Sequence, residues 1–147
     1  AGCYSKKDFD VNKVLELSNN YGQSVLNDDQ DRFLKLFSLL KNKNMAVTYG
    51  IFSPEQHLLS SCVFFYSNKK WYYILVGNHP NGRTMGASHM LIDEFIKHNC
   101  GKDVILDFEG SDMRNLAFFY SSFGATEQKY ATIRFNRLPL LLKWLKK

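Results

Sequence analysis

WYYILVGNHPNGRTMGASHMLIDEFIKHNC, residues Trp71 to Cys100, passes from a continuous apolar run through a turn into an amphipathic pattern, and the rest of the chain is organised around it. Trp71 to Val76 is the pattern of a strand covered on both faces, and Gly77-Asn78-His79-Pro80-Asn81-Gly82 interrupts it with turn residues. A helix is expected from near Arg83 to residue 98. Ala87, Leu91 and Phe95, with Ser88, Ile92 and Ile96 beside them, form an apolar stripe at helical spacing, while Asp93, Glu94 and Lys97 point away. A turn of this kind delivers backbone N–H groups at a helix N-terminus, where the dipole leaves partial positive charge and anions bind. Gly82, Gly86 and Ala87 are small enough to let a phosphate approach.

Two nucleotide motifs compete for this turn. Gly77 to Thr84 is one residue away from a P-loop, with Arg83 in the lysine position, and Asp107 after Val104-Ile105-Leu106 imitates a Walker B aspartate. Arginine does not replace the compact lysine ammonium, and the about 60 residues after the turn are too few for the remaining βα units of such a core. The glycine-rich dinucleotide fingerprint G-x-G-x-x-G is absent.

A chain of 147 residues, 45% apolar and 22% charged, fits one globular domain. No apolar run reaches the roughly 18 residues needed to span a bilayer, and no basic-then-apolar leader opens the sequence. The expectation is a soluble, cytoplasmic protein. Cys3, Cys62 and Cys100 have no C-x-x-C or Cys/His ligand spacing, so free thiols and no metal are expected, with Cys62 and Cys100 as small core residues. The net charge of +5 suits an anionic partner, but the lysines are dispersed and single out neither tRNA nor a membrane surface.

Helices are expected over Asp10 to Asn20 and Asn27 to Lys43, the second burying Phe33, Leu36, Phe37 and Leu40, and both covering one sheet face. Met45 to Phe52, Leu58 to Ser67 and Lys70 to Val76 read as an antiparallel meander. Lys102 to Phe108 follows a helix and must therefore run parallel to Lys70 to Val76. A helix over 113 to 122 and a strand from Glu127 to Asn136 complete a mixed α/β (α+β) domain. Leu138 to Leu145 is a strongly apolar tail, either docked on its own sheet or facing a partner.

Arg83-Thr84-Met85-Gly86-Ala87-Ser88 resembles the pyrophosphate-binding signature of the GNAT acyltransferases, with Ser88 where that signature has Gly or Ala. Asn115 to Ala125, NLAFFYSSFGA, resembles the Asn and Tyr helix of the same family, one residue shorter between Asn115 and Tyr120 and with Ala125 in place of Phe. Leu106 to Ala125 together with Arg134 to Pro139 is similar to the C-terminal half of FemAB-like two-domain GNAT proteins of Bacteroidetes. The resemblance implies a GNAT fold, transfer of an acyl group from CoA or an aminoacyl group from tRNA to an amine acceptor, and a second GNAT-like domain N-terminal to this one. It also implies that two parallel strands splay around the cofactor, with Gly82 to Ser88 and Asn115 as cofactor-binding residues. The alternative function is a non-catalytic GNAT-fold module that binds a ligand or partner.

Acyl transfer to an amine needs an acid for the departing thiolate and a base for the ammonium. The resemblance gives the first role to Tyr120; the alternative is a packing aromatic in Phe118-Phe119-Tyr120. Asp107 and Glu109 are expected on one strand face at a strand C-terminus, where α/β ligands bind, which makes Glu109 the candidate base. Its alternative is a charge at the N-terminus of the following helix, with Ser111 or Asp112 as the cap. His79 in the turn is either a base or a solvated side chain, and no Ser/His/Asp triad is recognisable.

Overall fold

Three long strands make the frame. Runs of β-branched and aromatic residues, cut by turn residues, form β2 (Ala46–Phe52), β3 (Leu58–Ser67) and β4 (Lys70–Asn78), paired as an antiparallel meander. Asn68 and Lys69 close the β3–β4 hairpin with φ of 50° and 61°, the left-handed pair that matches the twist of the flanking strands. The structure is a computed structural model that describes residues 2–22, 27–110, 113–129 and 131.

Two short strands extend the frame to five, in the order β1-β2-β3-β4-β5. β1 (Tyr4–Lys7) runs antiparallel to β2, and β5 (Ile105–Asp107) runs parallel to β4, as the intervening helix requires. Nothing in the sequence marks β1: YSKK carries no alternation, and its strand form comes from pairing with the edge of β2. The strand expected over Lys102 to Phe108 contracts to three residues.

The helices are α1 (Val11–Tyr21), α2 (Asn27–Asn42), α3 (Pro80–Thr84), α4 (Ala87–Asn99) and α5 (Arg114–Ser121). Asp10 caps α1 by accepting the Asn12 N–H at 3.0 Å. Val14 of α1 and Phe37 of α2 pack with Ala46 and Val63 on one sheet face, flanked by Phe33, Leu40, Phe65 and Leu75. On the other face Leu91, Ile92 and Phe95 of α4 meet Val47, Tyr49, Cys62, Phe64 and Tyr73. Phe95 stacks on Phe64 with ring centroids 3.7 Å apart. Full burial of side chains this size contributes roughly 1.5–3 kcal/mol each.

Four expectations change. The helix placed from Arg83 onward is two helices, because Gly86 takes a left-handed conformation (φ 69°) that ends one and starts the next. Ile96 and Leu36, assigned to buried stripes, are exposed at 38% and 45%, since neither faces the sheet. Cys62 is buried but Cys100, just past α4, is exposed. Glu127–Lys129, expected to open the last strand, belong to no strand; Tyr130, the rest of that strand from residue 132, and the tail from Leu138 lie outside the described residues.

Candidate functional site

The two parallel strands separate. β4 pairs with β5 only through Lys70, Trp71 and Tyr72, opposite Ile105, Leu106 and Asp107. From Tyr73 to Asn78, β4 keeps its hydrogen-bonded partner β3 alone. β5 stops because Asp107 Oδ1 accepts the Glu109 N–H at 3.0 Å and Glu109 and Gly110 turn left-handed (φ 63° and 77°). On β4, Leu75 is one residue too many: Ile74 lies opposite Val63 and Val76 opposite Cys62. This bulge holds a leucine at φ 49°, a conformation that costs roughly 1–2 kcal/mol and re-aims the strand.

The start of α4 lies against the far end of β4. Gly86 has open space where a Cβ would stand, α4 has no side-chain cap and no acidic residue in its first turn. The first hydrogen bond into the helix is Met90 N–H to Gly86 O, which leaves the N–H groups of Ala87, Ser88 and His89 without a protein acceptor among the described residues. Ser88 does more than fill space. Its hydroxyl donates to Asn78 Oδ1 at 2.7 Å, and the buried Ser60 hydroxyl donates to the same oxygen at 2.6 Å. The end of β4, the middle sheet strand and the first turn of α4 are thereby tied together.

The segment Gly82 to Ser88 divides in two. Arg83, Thr84 and Met85 are exposed, and the Thr84 hydroxyl donates to Asn81 O at 2.8 Å. Ala87, 2% exposed, faces the core. Gly82 is also buried, and a Cβ there would stand 2.3 Å from Leu59 O, so its smallness serves the packing of α3 on β3 rather than a phosphate. His79 is the N-cap of α3: its Nδ1 accepts the Asn81 N–H at 3.2 Å and its ring meets Tyr21 edge-on at 4.9 Å.

α5 forms the opposite wall. The Tyr120 ring stacks on Phe108 at 4.4 Å and 14° and meets Tyr73 of β4 edge-on at 6.3 Å. Phe119 and Phe123 pack on His89 of α4 at 4.6 and 5.6 Å, so α5 is held to both sides of the opening. Burial pushes the Tyr120 hydroxyl pKa up, and it therefore keeps its proton throughout the neutral range. Tyr73, more deeply buried beside Cys62 and Tyr120, is pushed higher still. Asn115 is exposed in the first turn of α5.

Glu109 is exposed and lies beyond the strand, so it does not share a strand face with Asp107 as expected. Asp107 instead pairs with Lys70 at 3.7 Å and anchors the turn. The N-cap of α5 is Met113, without a side-chain cap; Ser111 and Asp112 lie outside the described residues. Three contributors escaped the sequence reading. Leu75 has no local signal for a bulge, Phe108 reads as one more strand residue, and Asn78 is visible only as a polar residue closing an apolar strand.

Two surface cavities lie elsewhere. One of about 530 Å³ sits between α1 and α2, beside Leu15, Glu16, Asp31 and Leu34, and one of about 310 Å³ lies beside Leu17, Tyr21, His57 and Leu58. Neither is lined by Gly86, Ser88 or Tyr120. Among the described residues no group of three or more His, Cys, Asp or Glu is placed to hold a metal ion, and no helix is long and apolar enough to cross a membrane.

No protein-family model and no curated protein matches the sequence. Solved structures match in fold. A predicted acetyltransferase from Clostridium acetobutylicum with acetyl-CoA superposes with a TM-score of 0.66 at 14% identity, over 95% of this chain and 97% of that one. An acetyltransferase from Trypanosoma brucei gives 0.63 at 16%, over 91% and 99%. Glucosamine-6-phosphate N-acetyltransferase from Arabidopsis thaliana gives 0.64 at 10%, over 92% and 99%. At such identities the likeness speaks for architecture, and the architecture, a five-stranded mixed sheet splayed between β4 and β5 and flanked by helices, is the GNAT acetyltransferase fold.

Proposed function

We propose that the domain holds an acyl-CoA in the opening between β4 and β5 and transfers its acyl group to an amine. The observation that carries this reading is the coincidence of two separated parallel strands with an uncapped, glycine-opened helix N-terminus at the same place. The residues present suit such a cofactor. The N–H groups of Ala87, Ser88 and His89 and the open face of Gly86 offer a pyrophosphate site, with the exposed Arg83, Thr84 and Met85 along its rim. Asn115 is assigned to the cofactor on its motif, and Gly82 and Ala87 support the site from below by packing.

Acyl-CoA supplies an activated thioester. Tyr120 Oη, kept protonated by burial, donates its proton to the departing sulfur. The Glu109 carboxylate, exposed in the turn just past β5, takes a proton from the acceptor ammonium so that the free amine can attack. The acceptor is an amine in the Arabidopsis neighbour named above, which supports the same acceptor class here.

Calorimetric titration with acetyl-CoA tests the site, and Gly86→Glu is the informative variant. Gly86 has room for a side chain, at a backbone-strain cost of about 1–2 kcal/mol for its φ of 69°, whereas a carboxylate there repels the pyrophosphate, so binding should be lost while most of the fold remains. Unchanged affinity in Gly86→Glu places the pyrophosphate elsewhere. The finer reading, a FemAB-like tandem whose other half precedes this domain, rests on the resemblance of Leu106 to Ala125. Assaying acetyl-CoA against aminoacyl-tRNA as donors separates the two forms of the activity.

A further inference from the structure

We infer that the Asn78 side chain is a ligand-holding group, donating from its amide nitrogen to a pyrophosphate oxygen of the bound cofactor; this rests on the acyl-CoA reading above. Asn78 ends β4, six residues beyond the last pair with β5 (78 against 72) and on the side of the sheet where α4 begins. A carboxamide has one acceptor oxygen and two N–H donors. Here the oxygen is saturated, because Ser60 and Ser88 both donate to Oδ1, at 2.6 and 2.7 Å. Both lengths are those of O–H···O rather than N–H···O bonds, which sets the oxygen toward the two serines and fixes the amide plane. The two bonds leave Nδ2 with two donors and no protein acceptor among the described residues. The only buried, unpartnered side-chain polar atom among those residues is Ser61 Oγ, so Nδ2 is open to solvent.

An oriented donor beside three free backbone N–H groups adds to the same electrostatic field. Ser88 makes the link geometric: it carries one of those free N–H groups and its hydroxyl grips the Asn78 oxygen, so amide nitrogen and helix start are held in one rigid unit. The buried Ser60 anchors that unit to β3. This also accounts for a serine at the last position of the segment Arg83 to Ser88, where a glycine or alanine would leave the carboxamide with one clamp instead of two.

Asn78→Asp tests this directly. An aspartate keeps both serine bonds, removes the two N–H donors and sets a negative charge beside the anion. Binding is read by calorimetry with CoA and with pantetheine, which lacks the pyrophosphate. Wild-type protein that binds neither CoA nor acetyl-CoA overturns the acyl-CoA reading itself, and this inference with it. If the wild type binds CoA, Asn78→Asp is expected to weaken it about tenfold or more, the loss of a hydrogen bond to a charged group together with added repulsion. Pantetheine affinity should stay the same. CoA affinity unchanged in Asn78→Asp, or lost in equal measure for pantetheine, overturns the inference alone. Ser60→Ala is a second variant at a buried position behind the amide, in case the aspartate disturbs folding. It frees one clamp without touching ligand, and a loss of CoA affinity of roughly threefold is expected, with the melting temperature lowered by about 2–4 °C for the lost buried hydrogen bond. No loss in that variant would make the Ser60 clamp irrelevant to binding and count against the inference.

Discussion

Tyr120 carries two properties that pull apart under mutation. Its ring is packing, stacked on Phe108, and its hydroxyl, kept protonated by burial, is the proposed acid. Tyr120→Phe keeps the ring and removes the proton, so kcat should fall by about a hundredfold, the lower end of what a general acid contributes, with the melting temperature nearly unchanged. Undiminished kcat would leave Tyr120 as a packing residue. Tyr49 makes a different prediction. Burial, with the nearby Cys62 and Glu94, pushes its pKa up to about 12. A hydroxyl whose pKa is raised on folding gives its full stabilisation below the unfolded value near 10, and that stabilisation drains away as pH rises from about 10 to 12. Thermal unfolding followed across that window should show a falling midpoint, less steep in Tyr49→Phe; a variant as steep as the wild type would remove Tyr49 as the cause. At this scale the sequence is read least well. Cys62 and Cys100 look alike as small apolar residues, yet one is sealed under α4 and the other lies just past its end, a difference set by where the helix stops. Strand alternation puts Glu109 on the face of Asp107, and the turn closed by Asp107 Oδ1 breaks that alternation.

At the scale of elements, Gly82 and Gly86 look interchangeable in sequence and are opposites in structure. A Cβ on Gly82 would collide with Leu59 O at 2.3 Å, whereas a Cβ on Gly86 meets nothing within 4 Å but must sit at φ 69°. Gly82→Ala should therefore destabilise by overpacking, about 1–3 kcal/mol or more, and Gly86→Ala by backbone strain alone, about 1–2 kcal/mol. Urea unfolding of the two variants compares them, and a larger loss for Gly86→Ala would reverse the assignment. Periodicity was enough to find the helices α1 and α2 and the apolar face of α4, and apolar runs cut by turn residues were enough to find the meander, whose β2 is buried on both faces. It could not find the break at Gly86, since Leu91, Ile92 and Phe95 keep helical spacing whether or not the helix also includes Arg83. Nor could it find the Leu75 bulge, which is imposed by pairing with β3 and leaves no mark in the order of apolar residues.

For the whole molecule, chain order and connection length were sufficient to give the parallel β4–β5 pair, because a helix between two strands of one sheet allows nothing else. What they could not give was how little of that pair exists. Three register positions, Lys70 to Tyr72, fasten β5 to the sheet at one end, and β4 runs on for six residues, roughly 20 Å at strand rise, without it. Mechanically this is a lever with its pivot at the narrow end. A rotation of only about 3° at the pivot moves the far end by about 1 Å, the scale on which a hydrogen bond is made or lost. Small rocking of β4 against β5 is thus magnified at the wide end of the opening, and a ligand held there between β4 and α5 would brake it. Amide hydrogen exchange reads that braking: Ile105 and Asp107, whose N–H groups face β4, should exchange faster than the amides of β3 in the free protein and slow markedly when acetyl-CoA is added, while β3 barely changes. Equal slowing in both strands would mean that the ligand stabilises the domain as a block, with no pivot in the sheet.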